Sequence, residues 1–599
     1  MIKRFFNKIR LLVSVIGPFK KRVLLILCVI IIAGLCEAIG LGLIIPFIGI
    51  ALGDTDYAIN IKAISYFDQL FSQIVPENQR MLGISVFIAA IFLIKNSFLY
   101  FSSVLSVHFF NSIRIFWTTN ILQQFLHADY DYIISQKRGT LINTLFEETK
   151  VASRFIARLL DYILRSVMVL SIYTVMLVTN WRITLLLTLG LSLILGTIWK
   201  LSTKFSINSG KRRLALNQVI TTEGEQALNG IRQVKLFSLE SRVLKSYSKK
   251  WNELKWIFVK LGMLQNLPAP LGETLIIICL ALVLIYYENF SSTPLIAVLP
   301  MIAFLATTSQ RLYRSLAHVI SGRMTLLSYI PSIKLISTIM NQKQIKRENL
   351  SKGVTFHHLT GNIIFKDVEF SYDKSSPLFK NLNLCIQKNK ITAIVGRSGS
   401  GKSTLVDLLC GLYKGYKGNI FIGDKELKTL KLSSWRKNIG FVSQDTFLFH
   451  DTVRENILLG KQEASEDEIK AAAKTAFSHE FIESLPKGYA TVLGDRGQKL
   501  SGGQRQRITV ARALIRSPEL FIFDEATSAL DSESEKLIQK SIEELSKKKT
   551  IIIIAHRIST IKNADIIYVM DSGQIIESGT YEELMNKHGH FRSMVDQQN

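Results

Sequence analysis

Apolar and polar positions along the 599-residue chain follow two different patterns. In the first half, apolar runs of membrane length alternate with long polar stretches: Val23 to Leu52, Leu82 to Leu105, Leu159 to Val178, Ile183 to Leu201, Leu271 to Tyr286 and Pro294 to Thr307. Each is long enough, or nearly so, to cross about 30 Å of hydrocarbon as a helix, so about six spans are expected. The fifth and sixth are shorter and more interrupted. A re-entrant pair is the alternative there, although their apolar content suits full spans better. Ile2 to Phe19 reads as an interfacial amphipathic helix with Phe5, Phe6, Ile9, Leu12 and Ile16 on its apolar side. The alternative is a disordered basic tail. Near the charged stretch Lys343 to Lys352 the pattern changes, and short apolar strand runs such as Ile391 to Val395, Leu520 to Phe523 and Ile551 to Ala555 alternate with helical patterns. The expected fold is an all-α transmembrane bundle followed by an α/β domain. The segments are an elbow helix at 1–20, a membrane domain at 21–338, a linker at 339–360 and the α/β domain at 361–599.

Composition agrees with two domains, one of them in lipid. Hydrophobic residues make up 48% of the chain, and the mean hydropathy of +0.24 is high for a soluble protein. The N-terminal segment carries Lys3, Arg4, Lys8, Arg10, Lys20, Lys21 and Arg22 with no acid, whereas Gly53 to Gln79 has Asp54, Asp56, Asp68 and Glu77 against Lys62 alone. The positive-inside rule therefore places the N-terminus in the cytoplasm, with the basic stretches Lys137 to Arg158 and Lys204 to Lys260 and the α/β domain on the same side. A formal charge of +26 invites a nucleic-acid reading, but many of the basic residues crowd the membrane flanks, where anionic headgroups account for them. No nucleic-acid partner is expected. The first apolar run is too long for a secretory signal and no small-residue cleavage site follows it, so it is expected to stay as an anchor. Cys28, Cys36, Cys279, Cys385 and Cys410 show neither paired nor metal-ligand spacing and read as small core residues.

The candidate chemistry lies in the last third. Gly396-Arg397-Ser398-Gly399-Ser400-Gly401-Lys402-Ser403 follows one apolar strand run and precedes the helical pattern Thr404 to Leu412, the context a phosphate-binding loop requires. Its glycines let backbone N–H groups close around phosphates, Lys402 supplies a point charge, and the Ser403 hydroxyl can ligate Mg²⁺. The strand Leu520 to Phe523 delivers Asp524 and Glu525 at its carboxyl end, where open α/β sheets bind ligands. There Asp524 can hold Mg²⁺ through water and Glu525 can polarise an attacking water, the alternative being a purely structural carboxylate pair. His556 ends the strand Ile551 to Ala555, placed as a donor to a γ-phosphate.

With these motifs in order, the chain resembles the ATP-binding cassette (ABC) transporter superfamily over essentially its whole length, and membrane domain then cassette on one chain resembles exporters. Leu500-Ser501-Gly502-Gly503-Gln504 is similar to the family's signature motif. The resemblance implies a head-to-tail homodimer in which Ser501 and Gly503 of one copy cap the γ-phosphate held by the other's loop. It also implies that Tyr372 stacks on adenine, that Gln444 contacts Mg²⁺ and links the nucleotide site to the membrane domain, and that His556 is the switch histidine. ATP is then held by Gly396, Ser398 to Thr404, Gln444, Asp524 and the signature residues Ser501 to Gln504, with Ser403, Gln444 and Asp524 toward Mg²⁺ and Glu525, His556 and Gln444 as the catalytic set. Ser528-Ala529-Leu530-Asp531 matches the loop that touches the partner cassette. Thr491 to Gly497 resembles the exporters' cross-linking loop, with Asp495 where glutamate is commoner. No catalytic position departs from the pattern, so both sites of a homodimer are expected to hydrolyse ATP. Tyr130 to Lys137 and Gly230 to Phe237 resemble the two coupling helices, a solvated turn being the alternative for each.

Two charges lie well inside expected spans, Glu37 in the first and Lys95 in the second. Such charges cost at least ~2.5 kcal/mol each on insertion scales, so they pair or face a water-filled cavity. They are candidates for substrate or gating contacts, and a structural Glu37–Lys95 ion pair is the alternative. Glu37 followed by Pro46-Phe47 resembles the first membrane helix of bacterial lipid-linked oligosaccharide flippases, and Ile61 to Phe71 is similar to their short external helix. That likeness implies ATP-driven flipping of a polyprenyl-linked glycan or related glycolipid across the inner membrane. Arg154, Arg158 and Arg165 near the inner mouth suit a pyrophosphate headgroup. The alternatives are a general lipid, peptide or multidrug exporter and a non-pumping channel regulator.

Overall fold

Long helices carry the first half of the chain. The computed structural model describes residues 17–44, 47, 79–290, 295–341, 348, 350–373, 376–525, 532–546, 548–555, 557 and 561–597. Most of the expected elbow helix, Pro46, the expected external helix Ile61 to Phe71, most of the Lys343 to Lys352 stretch, Ser528 to Asp531 and His556 lie outside these residues. The chain divides into two units, one of Met1–Ala128 and Tyr132–Lys346, the other of Asp129–Asp131 and Arg347–Asn599.

Along residues 17–341 the helices are α1 (Lys20–Gly42), α2 (Arg80–Leu126), the short α3 (Tyr130–Ser135) and α4 (Arg138–Asn143), α5 (Thr149–Thr179), α6 (Trp181–Asn229), the short α7 (Ile231–Leu236), α8 (Glu240–Asn266), α9 (Pro268–Phe290) and α10 (Leu295–Met340). One turn of π-helix, Thr144–Glu148, joins α4 to α5. Among the described residues, Lys20–Gly42, Met81–Leu126, Arg138–Thr179 and Glu240–Tyr286 are long and apolar enough to cross a membrane. The expected spans Ile183 to Leu201 and Pro294 to Thr307 fall on α6 and α10, Pro294 itself lying outside the described residues. At 23 residues α9 is ~35 Å long, enough for a full span. The expected coupling elements form α3 and α7, six residues each and with no buried side chain.

Asn180 separates α5 from α6. Its backbone is extended and its side chain accepts from the Ile183 N–H, so one residue ends a helix and caps the next. The bundle interior collects Ile26 and Ile30 of α1, Phe109, Ile113 and Trp117 of α2, Phe155 and Ile156 of α5 and Ile333 and Ile336 of α10. Outward faces carry Leu24, Leu25, Ile31, Leu35 and Ile39 on α1 alone, as lipid contact demands. Cys28 is exposed in that helix, and the other four cysteines are half-buried and unbonded. The core reading therefore fails for Cys28, because in lipid the outer face of a helix is as apolar as its inner one.

Polar clusters tie α5, α6 and α10 together. Arg323 of α10 lies 3.7 Å over the Trp199 ring of α6 and donates to Thr203 Oγ1. A Cβ on Gly210 of α6 would sit 2.1 Å from the Ser328 carbonyl oxygen of α10, so only glycine permits this approach. One turn further, Arg213 Nη2 donates to Ser332 Oγ (2.6 Å), and Ser332 Oγ donates to Glu148 Oε2 (2.5 Å) at the end of the π turn. Arg213 and Glu148 are buried, 3.8 Å apart.

The second unit is built on two sheets. Strands β1 (Ile363–Phe370), β2 (Phe379–Ile386), β4 (Lys417–Ile422) and β5 (Lys425–Glu426) form an antiparallel sheet in the order β2-β1-β4-β5. The other sheet adds β3 (Ile391–Val395), β6 (Ile439–Val442), β7 (Leu520–Asp524), β8 (Thr550–Ile554), β9 (Ile566–Asp571) and β10 (Gln574–Gly579) in the order β10-β9-β3-β8-β7-β6. Strands β3 and β8 are buried at every residue, because both faces of the parallel core are covered and no alternation is needed. Edge strand β10 is antiparallel to β9 and never fully buried. Helices α11 (Lys402–Leu409), α12 (Leu432–Lys437), α13 (Val453–Leu458), α14 (Glu466–Thr475), α15 (His479–Glu483), α16 (Gly502–Leu514), α17 (Ser532–Ser546), α18 (Tyr581–Asn586) and α19 (His590–Asp596) complete the unit.

Candidate functional site

Central strand β3 runs directly into the glycine-rich loop, and α11 starts at Lys402. Gly396, Gly399 and Gly401 adopt φ of +156°, +83° and +107°, which side chains resist, so the glycines are what let the loop turn. Space beside Gly399 is open. Lys402 Nζ donates to the carbonyls of Gly396 (2.8 Å) and Arg397 (2.9 Å), which holds the ammonium inside the loop's curve. Burial lowers its pKa, opposed by the nearby charges of Glu525 and Asp524. Ser400 is buried and its Oγ meets no partner among the described residues, while Ser398 and Ser403 are exposed. An open cradle, a buried cation and an unengaged hydroxyl fit a polyphosphate.

Strand β7 pairs in parallel with β8 and β6, which brings Asp524 and Glu525 to the carboxyl edge of the sheet beside the loop. Glu525 has φ of +50° and its N–H donates to the Ile554 carbonyl, so the backbone leaves the sheet sharply at this residue. Gln444, two residues beyond β6, donates from Nε2 to Glu525 Oε2. Three separated stretches of sequence thus converge at one sheet edge. Ser403, Gln444 and Asp524 offer the hard oxygen ligands Mg²⁺ prefers. Tyr372 is exposed, its hydroxyl 2.6 Å from Thr404 Oγ1 and its ring 5.3 Å from that of Tyr413, a platform on the rim of α11. Sequence reasoning passed over Asp407 on α11, whose pKa burial pushes up to about 6, with the charge of Asp524 adding to the shift.

Ser501 to Gln504 form the N-terminus of α16. Ser501 Oγ accepts from the Gln504 N–H, and the Gln504 side chain accepts from the Ser501 N–H, a capping box. The exposed Ser501 and the remaining N-terminal N–H groups make a positive helix end suited to an anion. Thr491 to Gly497 runs from a β-bridge at Val492 into a short 3₁₀ turn that contains Asp495.

A second candidate site lies within the helical unit. A cavity of about 630 Å³ is lined by Glu37 of α1, Phe92, Lys95 and Asn96 of α2, Asp161 and Arg165 of α5 and Arg311 and Arg314 of α10. Lys95 Nζ donates to Glu37 Oε2 at 2.6 Å, so the ion-pair alternative is realised, and the pair also faces the cavity. Arg311 Nη1 joins it at 3.5 Å from Glu37 Oε1. Asp161 lies 3.6 Å from Arg165 Nε and 4.0 Å from Arg158. Arg311 escaped sequence reasoning because it sits four residues past the apolar run ending at Thr307. The signal was the pair Arg311 and Arg314, spaced for one helix face and facing no acid in that stretch.

Known proteins align with both units. Residues 23–310 match the ABC transporter transmembrane region and residues 379–528 the ABC transporter domain. A Nostoc sp. protein described as heterocyst differentiation ATP-binding protein HepA is 32% identical over 600 residues, covering 98% of this chain and 95% of the relative. The ATP-dependent lipid A-core flippase of Salmonella typhimurium is 33% identical over 462 residues, covering 77% of this chain and 78% of the relative. Among solved structures, a bacterial Atm1-family ABC exporter with ATP bound shares the fold, with a TM-score of 0.78, 23% identity and coverage of 97% of this chain and 99% of that one.

Proposed function

The chain belongs to the ABC transporter family, and from that membership we propose that it flips a polyprenyl-linked oligosaccharide or related glycolipid across a bacterial inner membrane, as a homodimer working by alternating access. It is a multi-pass ABC exporter with an ATP-binding domain whose hydrolysis is coupled to translocation. The observation that carries the finer reading is the cavity, where Lys95, Arg165, Arg311 and Arg314 outnumber Glu37 and Asp161. An excess of cations in a largely apolar bundle suits a lipid with a phosphate-bearing headgroup. The relative named for lipid A-core flipping supports a lipid substrate.

In the nucleotide site, the loop from Gly396 to Thr404 wraps the phosphates with backbone N–H groups and Lys402 neutralises them. Ser403, Gln444 and Asp524 would hold Mg²⁺, which would supply charge compensation to the phosphates when bound. Tyr372 stacks on the base. Glu525, at the sharp exit from β7, orients water and accepts its proton, and His556 donates to the γ-phosphate. Ser501 and Gly503 of the second copy close the site from the other side. Closure draws the cassettes together, and hydrolysis releases them.

The test is ATPase activity in nanodiscs with and without polyprenyl-pyrophosphate glycans, beside Glu525→Gln. Selective stimulation by the glycolipid is expected, with at least about a hundredfold loss in Glu525→Gln, the lower end of what a general base contributes. Wild-type turnover in that variant rules out Glu525 as the base. Equal stimulation by any amphiphile makes the protein a general lipid, peptide or drug exporter.

A further inference from the structure

Resting on the phosphate-bearing lipid reading above, we infer that Glu37 is a built-in stand-in for the substrate's phosphate. It holds Lys95 and Arg311 in register and yields them when a headgroup enters. The two carboxylate oxygens are divided between two cations, Oε2 to Lys95 at 2.6 Å and Oε1 to Arg311 at 3.5 Å. Both cations also lie against one ring, Lys95 Nζ at 4.6 Å and the Arg311 guanidinium at 5.4 Å from the centre of Phe92. That ring rests on α1 one turn past Glu37, where a Cβ on Gly40 would lie 3.1 Å from Phe92 Cε2. The cluster is therefore oriented by packing on two sides.

Its stoichiometry separates it from an ordinary structural pair. One carboxylate faces two cations, so the cluster carries a positive charge that Glu37 leaves unmatched in a cavity of an apolar bundle, and an incoming anion relieves it. Side-chain exposure rises from 8% at Glu37 through 12% at Lys95 to 44% at Arg311, which places the carboxylate at the floor and the guanidinium toward the cavity. Four cations against two carboxylates leave the lining at +2 (4 − 2), the complement of the two negative charges of a diphosphate diester. Among the described residues Arg314 makes no ion pair, so it and Arg311 are the first cations offered to a headgroup. Phosphate oxygens repeat the two-point geometry that Glu37 presents, and the guanidinium fork suits both. Glu37 then acts as an internal competitor. It weakens headgroup binding and, by retaking the cations, speeds release.

The experiment titrates ATPase stimulation of the full-length protein in nanodiscs with a polyprenyl-pyrophosphate glycan, a diphosphate diester, with the neutral polyprenol and with inorganic pyrophosphate. Wild type is expected to respond to the polyprenyl-pyrophosphate glycan alone. Glu37→Gln is expected to lower the half-maximal concentration about tenfold, equivalent to ~1.4 kcal/mol, and to lower the maximal stimulated rate because release slows. Lys95→Gln is expected to raise the half-maximal concentration. Direction is the diagnostic, since loss of a merely structural pair loosens the site, and an unchanged or raised half-maximal concentration in Glu37→Gln overturns the inference. A wild type indifferent to the polyprenyl-pyrophosphate glycan instead overturns the substrate reading on which the inference stands. Equal potency of inorganic pyrophosphate overturns the lipid source. Should Glu37→Gln fail to fold, Glu37→Asp, which draws the carboxylate back by one methylene, is expected to shift in the same direction by less, and a shift the other way is fatal to the idea.

Discussion

Two buried carboxylates sit in the same helical unit, and they are used differently. Glu148 is sealed: it accepts from Ser332, lies 3.8 Å from an equally buried Arg213, and joins α5, α6 and α10 where α6 and α10 touch through Gly210. Glu37 is also buried, but its two cations line a cavity and one of them is half exposed. Charge is matched one to one in the sealed cluster and left in excess in the open one. Burial of a charge alone says little about its use; the space beside it and the count of opposing charges say more.

The largest expected break in this comparison is Arg213→Ala. It strands Glu148 without a cation in a packed interior and is expected to cost about 3–5 kcal/mol, read as a lower midpoint of thermal unfolding in lipid. Glu37→Gln is expected to cost clearly less, because water in the cavity solvates what the carboxylate leaves behind. Equal losses for the two would erase the distinction between sealed and open clusters. Asp407 sharpens the comparison from the other unit, because among the described residues it has no ion pair and its pKa is raised to about 6. A carboxyl whose pKa rises on folding opposes folding wherever the native group is ionised. Asp407→Asn is therefore expected to raise the unfolding midpoint at pH 7.5 by a few degrees, and the gain should fade as pH drops through 6 toward the unfolded value of 3.8. The smallest effect belongs to Arg212→Ala, one residue from Arg213 but paired with Glu253 on an exposed surface. That loss should stay below about 1 kcal/mol, and a cost rivalling that of Arg213→Ala would mean that exposure is the wrong discriminator.

The two units were legible to different degrees. Motif spacing placed the phosphate loop between β3 and α11 and put Asp524 and Glu525 at a strand end, because local sequence dictates each of these turns. The contact of Gln444 with Glu525 depends on β6 lying beside β7, a pairing across 81 positions that only the family resemblance anticipated. In the bundle, Glu37 and Lys95 stood out against apolar surroundings. Arg311 did not, because it lies beyond its apolar run and reaches Glu37 through helix packing. Glu148 and Arg213 were invisible for the opposite reason: each sits among charged neighbours in sequence, and only three-dimensional packing separates them from water. Cys28 shows the remaining limit, since hydropathy does not distinguish a lipid-facing position from a core one.

The contacts among Trp199, Gly210, Arg213 and their partners on α10 also have a mechanical meaning. Helix α6 runs 49 residues without a proline, which makes it a rod ~74 Å long. Clamped to a neighbour at three levels, such a rod resists bending over the clamped stretch and turns as a stiff arm. A rotation of only about 5° about one end carries the other through roughly 6 Å, more than a full helical turn of rise, so a small displacement is magnified by length alone.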